Sequence, residues 1–150
     1  MKFFKRFQDL GIEGEKAKYY DQLTRVHRID EMREQATEVA RHTKDGDSVL
    51  EIAPGAGYLS IELSKLGNYT ITGMDISKDL VEICINNARE AGVAIDFQQG
   101  NVSEMPFSAE MFKRSGSYSR NEFEAFISQT EFKSYKIRDS AMGFSIYLTR

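Results

Sequence analysis

Glu51 sits inside a short apolar run, Ser48-Val49-Leu50-Glu51-Ile52, and Ala53-Pro54-Gly55-Ala56-Gly57 follows at once. Two glycines in a turn after such a run tolerate unusual φ/ψ and let a ligand approach the backbone closely. Asp75 comes 24 residues after Glu51, at the end of a second β-type run, Tyr69–Met74. Asn101 comes just after a third, Ala94–Gln98. Three polar side chains at the carboxyl ends of three strands are where an open parallel sheet binds its ligand.

NAD, FAD and S-adenosylmethionine all use glycine turns of this kind, and charge separates them. A dinucleotide brings a pyrophosphate to the bend, which Glu51 repels. S-adenosylmethionine or its product S-adenosylhomocysteine brings an ammonium (the former a sulfonium as well) and no phosphate, so a carboxylate attracts it. Ser60, standing where a dinucleotide fold would place a further glycine, also disfavours NAD. Asp75 can accept from both ribose hydroxyls. The Asn101 side-chain carbonyl can accept from the adenine amino group while the Val102 backbone meets the ring edge, with Ile76 and Met105 on the adenine faces. Each residue has a plainer alternative: a solvated strand-end carboxylate for Glu51, a helix cap for Asp75, and a turn held by its own side chain for Asn101.

The elements that position these residues alternate. Ala17, Tyr20, Leu23 and His27 give a first helical stripe, and Ile29, Met32, Ala36, Val39 and Ala40 a second. After Asp45-Gly46-Asp47 the run 48–52 reads as a buried strand, and Leu59, Leu63 and Leu66 as a helix stopping near Gly67. Ser77 caps a further helix with Leu80, Ile83, Cys84 and Ala88 on its buried stripe, and Gly92 ends it. Strand–helix alternation at this spacing implies right-handed crossovers, a parallel sheet and the α/β class. Beyond Phe112 the pattern changes. Lys113–Ser117 has a linker's composition, and Ser119-Arg-Asn-Glu122 a capping box leading to Phe123, Phe126 and Ile127. The alternating segments 133–138 and 143–148 read as an antiparallel hairpin around Asp139–Met142. The organisation expected is one domain: a cofactor-binding half over 1–112, the junction 113–117, and a C-terminal helix and hairpin over 118–150.

From about Tyr19 to Phe107 the chain resembles the class I, Rossmann-like S-adenosylmethionine-dependent methyltransferases, and within them the small-molecule branch that includes quinone-biosynthesis C-methyltransferases. Glu51, Gly55 and Gly57 match the family's first motif, with Ala53 where its first glycine is common and Pro54 where Cys is frequent. Asp75 matches its ribose acid and Asn101 its adenine-holding residue. Tyr19 and Tyr20 resemble aromatics that cover the methionine end of the cofactor. The resemblance implies a methyltransferase acting on a small-molecule acceptor. It also implies two strand–helix units, roughly 60 residues, between Phe112 and the closing segments, and this chain does not contain them. The Ser-Gly-Ser text at 115–117 looks like a splice, engineered or natural. The family sheet runs 3-2-1-4-5-7-6 in family numbering. Losing strands four and five leads us to expect 3-2-1-7-6, a truncated sheet of three parallel strands plus the antiparallel hairpin, with helices on both faces and 143–148 beside 48–52. A homodimer formed through the exposed edge or by exchanging the hairpin is the alternative. Loss of the wall that follows strand four predicts impaired turnover, and a non-catalytic scaffold is the competing function.

Bulk properties fit this frame. The 41% hydrophobic and 29% charged residues are ordinary for a globular domain, and a net charge of -3 favours neither nucleic acid nor an anionic membrane. No run approaches the roughly 18 apolar residues of a membrane span. The single cysteine, Cys84, excludes an internal disulfide, reads as a core residue, and fits a reducing cytoplasm. His27 and His42 lack triad or metal-ligand spacing, so no metal is expected.

Overall fold

Ser48–Ile52 forms β1, Thr70–Asp75 β2 and Asp96–Gln99 β3. They pair in parallel with β2 central, Ser48 opposite Thr70, Glu51 opposite Gly73, and Asp75 opposite Gln99. The structure, a computed structural model, describes residues 11–100 and the backbone of two further strands at 134–140 and 143–149. The chain divides into two compact units, 1–104 and 105–150, each described by itself.

In the first unit, helices α1 (Glu15–His27) and α2 (Ile29–Ala40) precede β1, α3 (Tyr58–Ser64) joins β1 to β2, and α4 (Lys78–Ala91) joins β2 to β3. Both crossovers step the same way across the sheet, so right-handedness puts α3 and α4 on one face. Side chains alternate accordingly. Ile71, Gly73 and Asp75 of β2 are buried, and Glu51 of β1 lies on the same face as its partner Gly73. Leu50 and Ile52 point the other way and are more than 40% exposed. Ala56, Tyr58, Ile61, Val81, Cys84, Ala88 and Phe97 form the core, directly under the glycine turn. Gly73 is needed there, because a Cβ would lie 2.4 Å from the Phe97 ring.

Helix α4 follows its sequence signals. The Ser77 hydroxyl accepts from Leu80 N, and Gly92 closes the helix in the left-handed region at φ 70°. Leu80, Cys84 and Ala88 are buried as the stripe predicts, joined by Val81 and Asn87. On α2 the stripe also holds, with Ala36 and Val39 buried. Several expectations are corrected. On α1, Leu23 and His27 are exposed while Thr24 is buried, because the helix docks through polar side chains and is rotated to the line Ala17, Tyr20, Thr24. Helix α3 stops at Ser64, leaving Leu66 49% exposed, since Lys65 and Leu66 donate to carbonyls only three residues back. β2 runs one residue later than expected, from Thr70, whose N–H bonds Asp47 O, through Asp75. β3 starts at Asp96 because Val93 N turns back to Ala88 O and the chain must climb from the helix cap before it pairs.

In the second unit, β4 (Ser134–Ser140) pairs antiparallel with β5 (Gly143–Thr149), with Ile137 opposite Ile146. The pairing runs from Ser134 opposite Thr149 to Ser140 opposite Gly143. Asp139 pairs with Phe144 within it. The junction 113–117, the helix expected from Ser119, and Asn101, Val102 and Met105 lie outside the described residues. No described helix is long and apolar enough to cross a membrane.

Candidate functional site

The site is built where β1 and β2 end side by side. Between β1 and α3 the backbone turns left-handed at alternate residues: Ala53 at φ 56°, Gly55 at 59° and Gly57 at 83°. Ala53 N donates to Met74 O and Gly57 N to Pro54 O, which ties the bend to β2 and closes it. Gly57 must also lack a side chain, because a Cβ would sit 3.0 Å from both Cys84 Sγ and the Phe97 ring. At Gly55 a Cβ would fall 2.7 Å from the Tyr20 ring, so α1 lays Tyr20 directly on the bend.

Two carboxyl groups face this turn. Asp75, 6% exposed, accepts from Gly55 N through Oδ2 (3.3 Å) and from Ser77 N through Oδ1 (2.9 Å). Each oxygen keeps lone-pair capacity for a further donor. Glu51 accepts through Oε2 from the Ser60 hydroxyl on α3. Burial pushes the Glu51 carboxyl up to about 7, and the Asp75 charge adds to the rise, while the Ser60 hydroxyl and N–H pull it back. Cys84, fully buried, donates from Sγ to Gly55 O (3.0 Å); burial first and then the charges of Glu51, Asp75 and Asp21 push its thiol up, so it is an inert core thiol.

A polar network fixes α1 over the turn. The Tyr58 hydroxyl donates to Asp21 Oδ1 (2.8 Å) and accepts from Arg25 Nε (2.8 Å). Asn87 Nδ2 donates to Asp21 Oδ1 (2.9 Å) and to Ala56 O (3.0 Å), and Asn87 Oδ1 accepts from Arg25 (3.0 Å). Burial and the bond to Asp21 push the Tyr58 hydroxyl up to about 12. The segment before α1 is stapled across the turn after Asp75. Glu13 accepts from Lys78 N and Asp79 N (3.0 Å each), Ser77 Oγ donates to Ile12 O (2.7 Å), and Asp79 accepts from Gly14 N (2.5 Å).

Of the residues singled out from sequence, Tyr20, Glu51, Ala53, Gly55, Gly57, Asp75 and Ile76 therefore surround one bend. Ile76 is half-buried, and its carbonyl accepts from Gln99 Nε2. Gly100 N donates to Asp75 O (2.9 Å), which ties the end of β3 to the end of β2. Tyr19 is not gathered in: it is 62% exposed. Ser60, Asp21, Tyr58 and Asn87 were not singled out as site residues. Asn87 carried the one readable signal, an amide on a buried helical stripe. No cluster of three or more potential metal ligands exists among the described residues.

The methyltransferase domain family matches residues 49–133, more than half of the chain. The chain belongs to this family. This methyltransferase domain is 40% identical over 63 residues to a ribosomal protein L11 methyltransferase of Dictyoglomus thermophilum, covering 42% of this chain and 21% of the relative. It is 34% identical over 70 residues to a ubiquinone/menaquinone biosynthesis C-methyltransferase of Bdellovibrio bacteriovorus, covering 46% and 30%. The matched segment thus spans less than a third of the length of either curated relative. Among solved structures, a Methanococcus maripaludis protein provisionally assigned as an S-adenosyl-L-methionine-dependent methyltransferase superposes at a TM-score of 0.70 with 18% identity, covering 94% of both chains. M. capricolum TrmK in complex with S-adenosylhomocysteine superposes at 0.53 with 14% identity, covering 76% of this chain and 66% of that one. At these identities the superpositions establish the Rossmann-like fold.

Proposed function

We propose that this domain binds S-adenosylmethionine at the ends of β1 and β2 and serves methyl transfer from it. The observation that carries the proposal is the pair of carboxyl groups at the bend. In a dinucleotide fold the turn's N–H groups receive a pyrophosphate. Here Asp75 already takes the Gly55 N–H, and Glu51 stands beside it. A phosphate would meet two acids, whereas an ammonium, a sulfonium and ribose hydroxyls meet acceptors. The left-handed backbone at Gly55 and Gly57 gives the bend its tight shape, and Tyr20 packs on it from α1. The TrmK structure, which contains S-adenosylhomocysteine, has the same fold and supports the choice of ligand.

When bound, the cofactor supplies an electrophilic methyl group for in-line displacement. The chain's contribution is positional. Glu51 holds the ammonium end, Asp75 the ribose, and Asn101, Val102 and Met105 are the residues proposed for the adenine. Tyr20 covers the methionine end, and exposed Tyr19 becomes available to it or to the acceptor. Both a ribosomal-protein and a quinone methyltransferase match over less than half of this chain. Relatives with two such different acceptors support a common methyl donor and leave the acceptor class open. A second reading, donor binding with little turnover, is favoured by the short text between Phe112 and the closing hairpin.

A thermal-shift panel tests the proposal. Ligand at 100 times its Kd stabilises the folded state by about 2.7 kcal/mol. S-adenosylmethionine and S-adenosylhomocysteine should raise the melting temperature and NAD should not. A rise with NAD alone would refute the assignment.

A further inference from the structure

Ser60 is 1% exposed, lies in the first turn of α3, and spends its hydroxyl on Glu51 Oε2. A buried hydroxyl with so specific a partner constrains that partner's rotamer and its protonation. The titratable groups facing Glu51 are Asp75 on β2 and Cys84 on α4, with Asp21 on α1 acting on Cys84. Within this group Ser60 is the contact that favours charge on Glu51, and Asp75 opposes it.

We propose that Ser60 is a positioning residue of the donor site, its buried hydroxyl holding the Glu51 carboxyl beside the bend. This rests on the donor-site assignment above. A cationic ligand selects the carboxylate, so its uptake by a Glu51 that is partly protonated releases a proton. The apparent affinity then scales with the ionised fraction. Burial lowers that fraction near neutrality, and Ser60 raises it.

Two measurements on the full chain test this separately. Carbon-detected NMR titration of the Glu51 carboxyl in the free protein, identified by its loss in Glu51→Gln, should show a midpoint near the value of about 7. Ser60→Ala should move it up by about one pH unit, a tenfold change in ionisation constant. Ser60→Thr, which keeps a hydroxyl, should restore it. Calorimetry with S-adenosylhomocysteine should then show Ser60→Ala binding about fivefold more weakly than wild type at pH 7, with the difference nearly gone at pH 9. A midpoint unchanged by Ser60→Ala overturns the role of Ser60, as does a loss of affinity equal at both pH values. Absence of binding by the wild type, with the midpoint still shifted, would overturn the donor assignment and leave Ser60's control of Glu51 standing.

Discussion

Replacing Glu51 with Gln should stabilise the protein at alkaline pH. A carboxyl raised from 4.5 to about 7 holds its proton more tightly folded than unfolded. Wild-type stability therefore falls as pH climbs from about 4.5 to 7 and is level above that. At 1.36 kcal/mol per unit the loss reaches about 3 kcal/mol. Gln is nearly isosteric, carries no charge to desolvate, and still offers an oxygen to the Ser60 hydroxyl. Urea denaturation at pH 5 and pH 8 should show the two proteins within about 1 kcal/mol at the lower pH, where most of the folded-state carboxyl is neutral. At pH 8 Glu51→Gln should be more stable by up to about 3 kcal/mol. The same variant should lose the ligand's ammonium partner and bind S-adenosylhomocysteine at least tenfold more weakly, a site that costs stability for binding. A variant equally stable or less stable than wild type at pH 8 would refute the account of a desolvated, strained charge.

Three further outcomes follow from the bend and its supports. Ala53 holds φ 56°; relief of a left-handed strain of about 1–2 kcal/mol, offset by glycine's freer unfolded chain, should make Ala53→Gly more stable by up to about 1 kcal/mol in urea titration. Gly57→Ala should do the opposite, adding that strain and pressing on Cys84 and Phe97, with a loss of at least about 2 kcal/mol on the same assay. Tyr58→Phe removes the donor to Asp21 and the acceptor of Arg25, and should cost about 1–3 kcal/mol in urea while increasing hydrogen exchange in α1.

Much of this was legible in the sequence where a local rule coincides with the tertiary requirement. The run 48–52 is apolar enough to be a strand anywhere, and Ser77 and Gly92 bracket α4 because a cap and a left-handed terminus are local needs. The bend residues were legible because glycine spacing and acid placement are themselves the chemistry. The face of α1 was not. Its docking runs through Asp21 and Arg25, which bond Tyr58 and Asn87, and through buried Thr24, which bonds the Tyr20 carbonyl, so an apolar stripe points to the wrong line. Ser60 was passed over for a related reason. A serine in a helix signals nothing until the strand beside it presents a carboxylate, and that pairing spans two elements. The starts of β2 and β3 shifted by one or two residues because ladder pairing, set by the neighbouring strand, fixes them.

The central claim is that two acids at a glycine bend choose a cationic, phosphate-free ligand. A map of the protein crystallised with S-adenosylhomocysteine, with NAD present in competition, tests it most directly. The account predicts the nucleoside alone in the cleft, its amino group at Glu51 and its ribose hydroxyls at Asp75. A diphosphate lying against Gly55, or a Glu51 carboxyl turned away from the bound molecule, would contradict it.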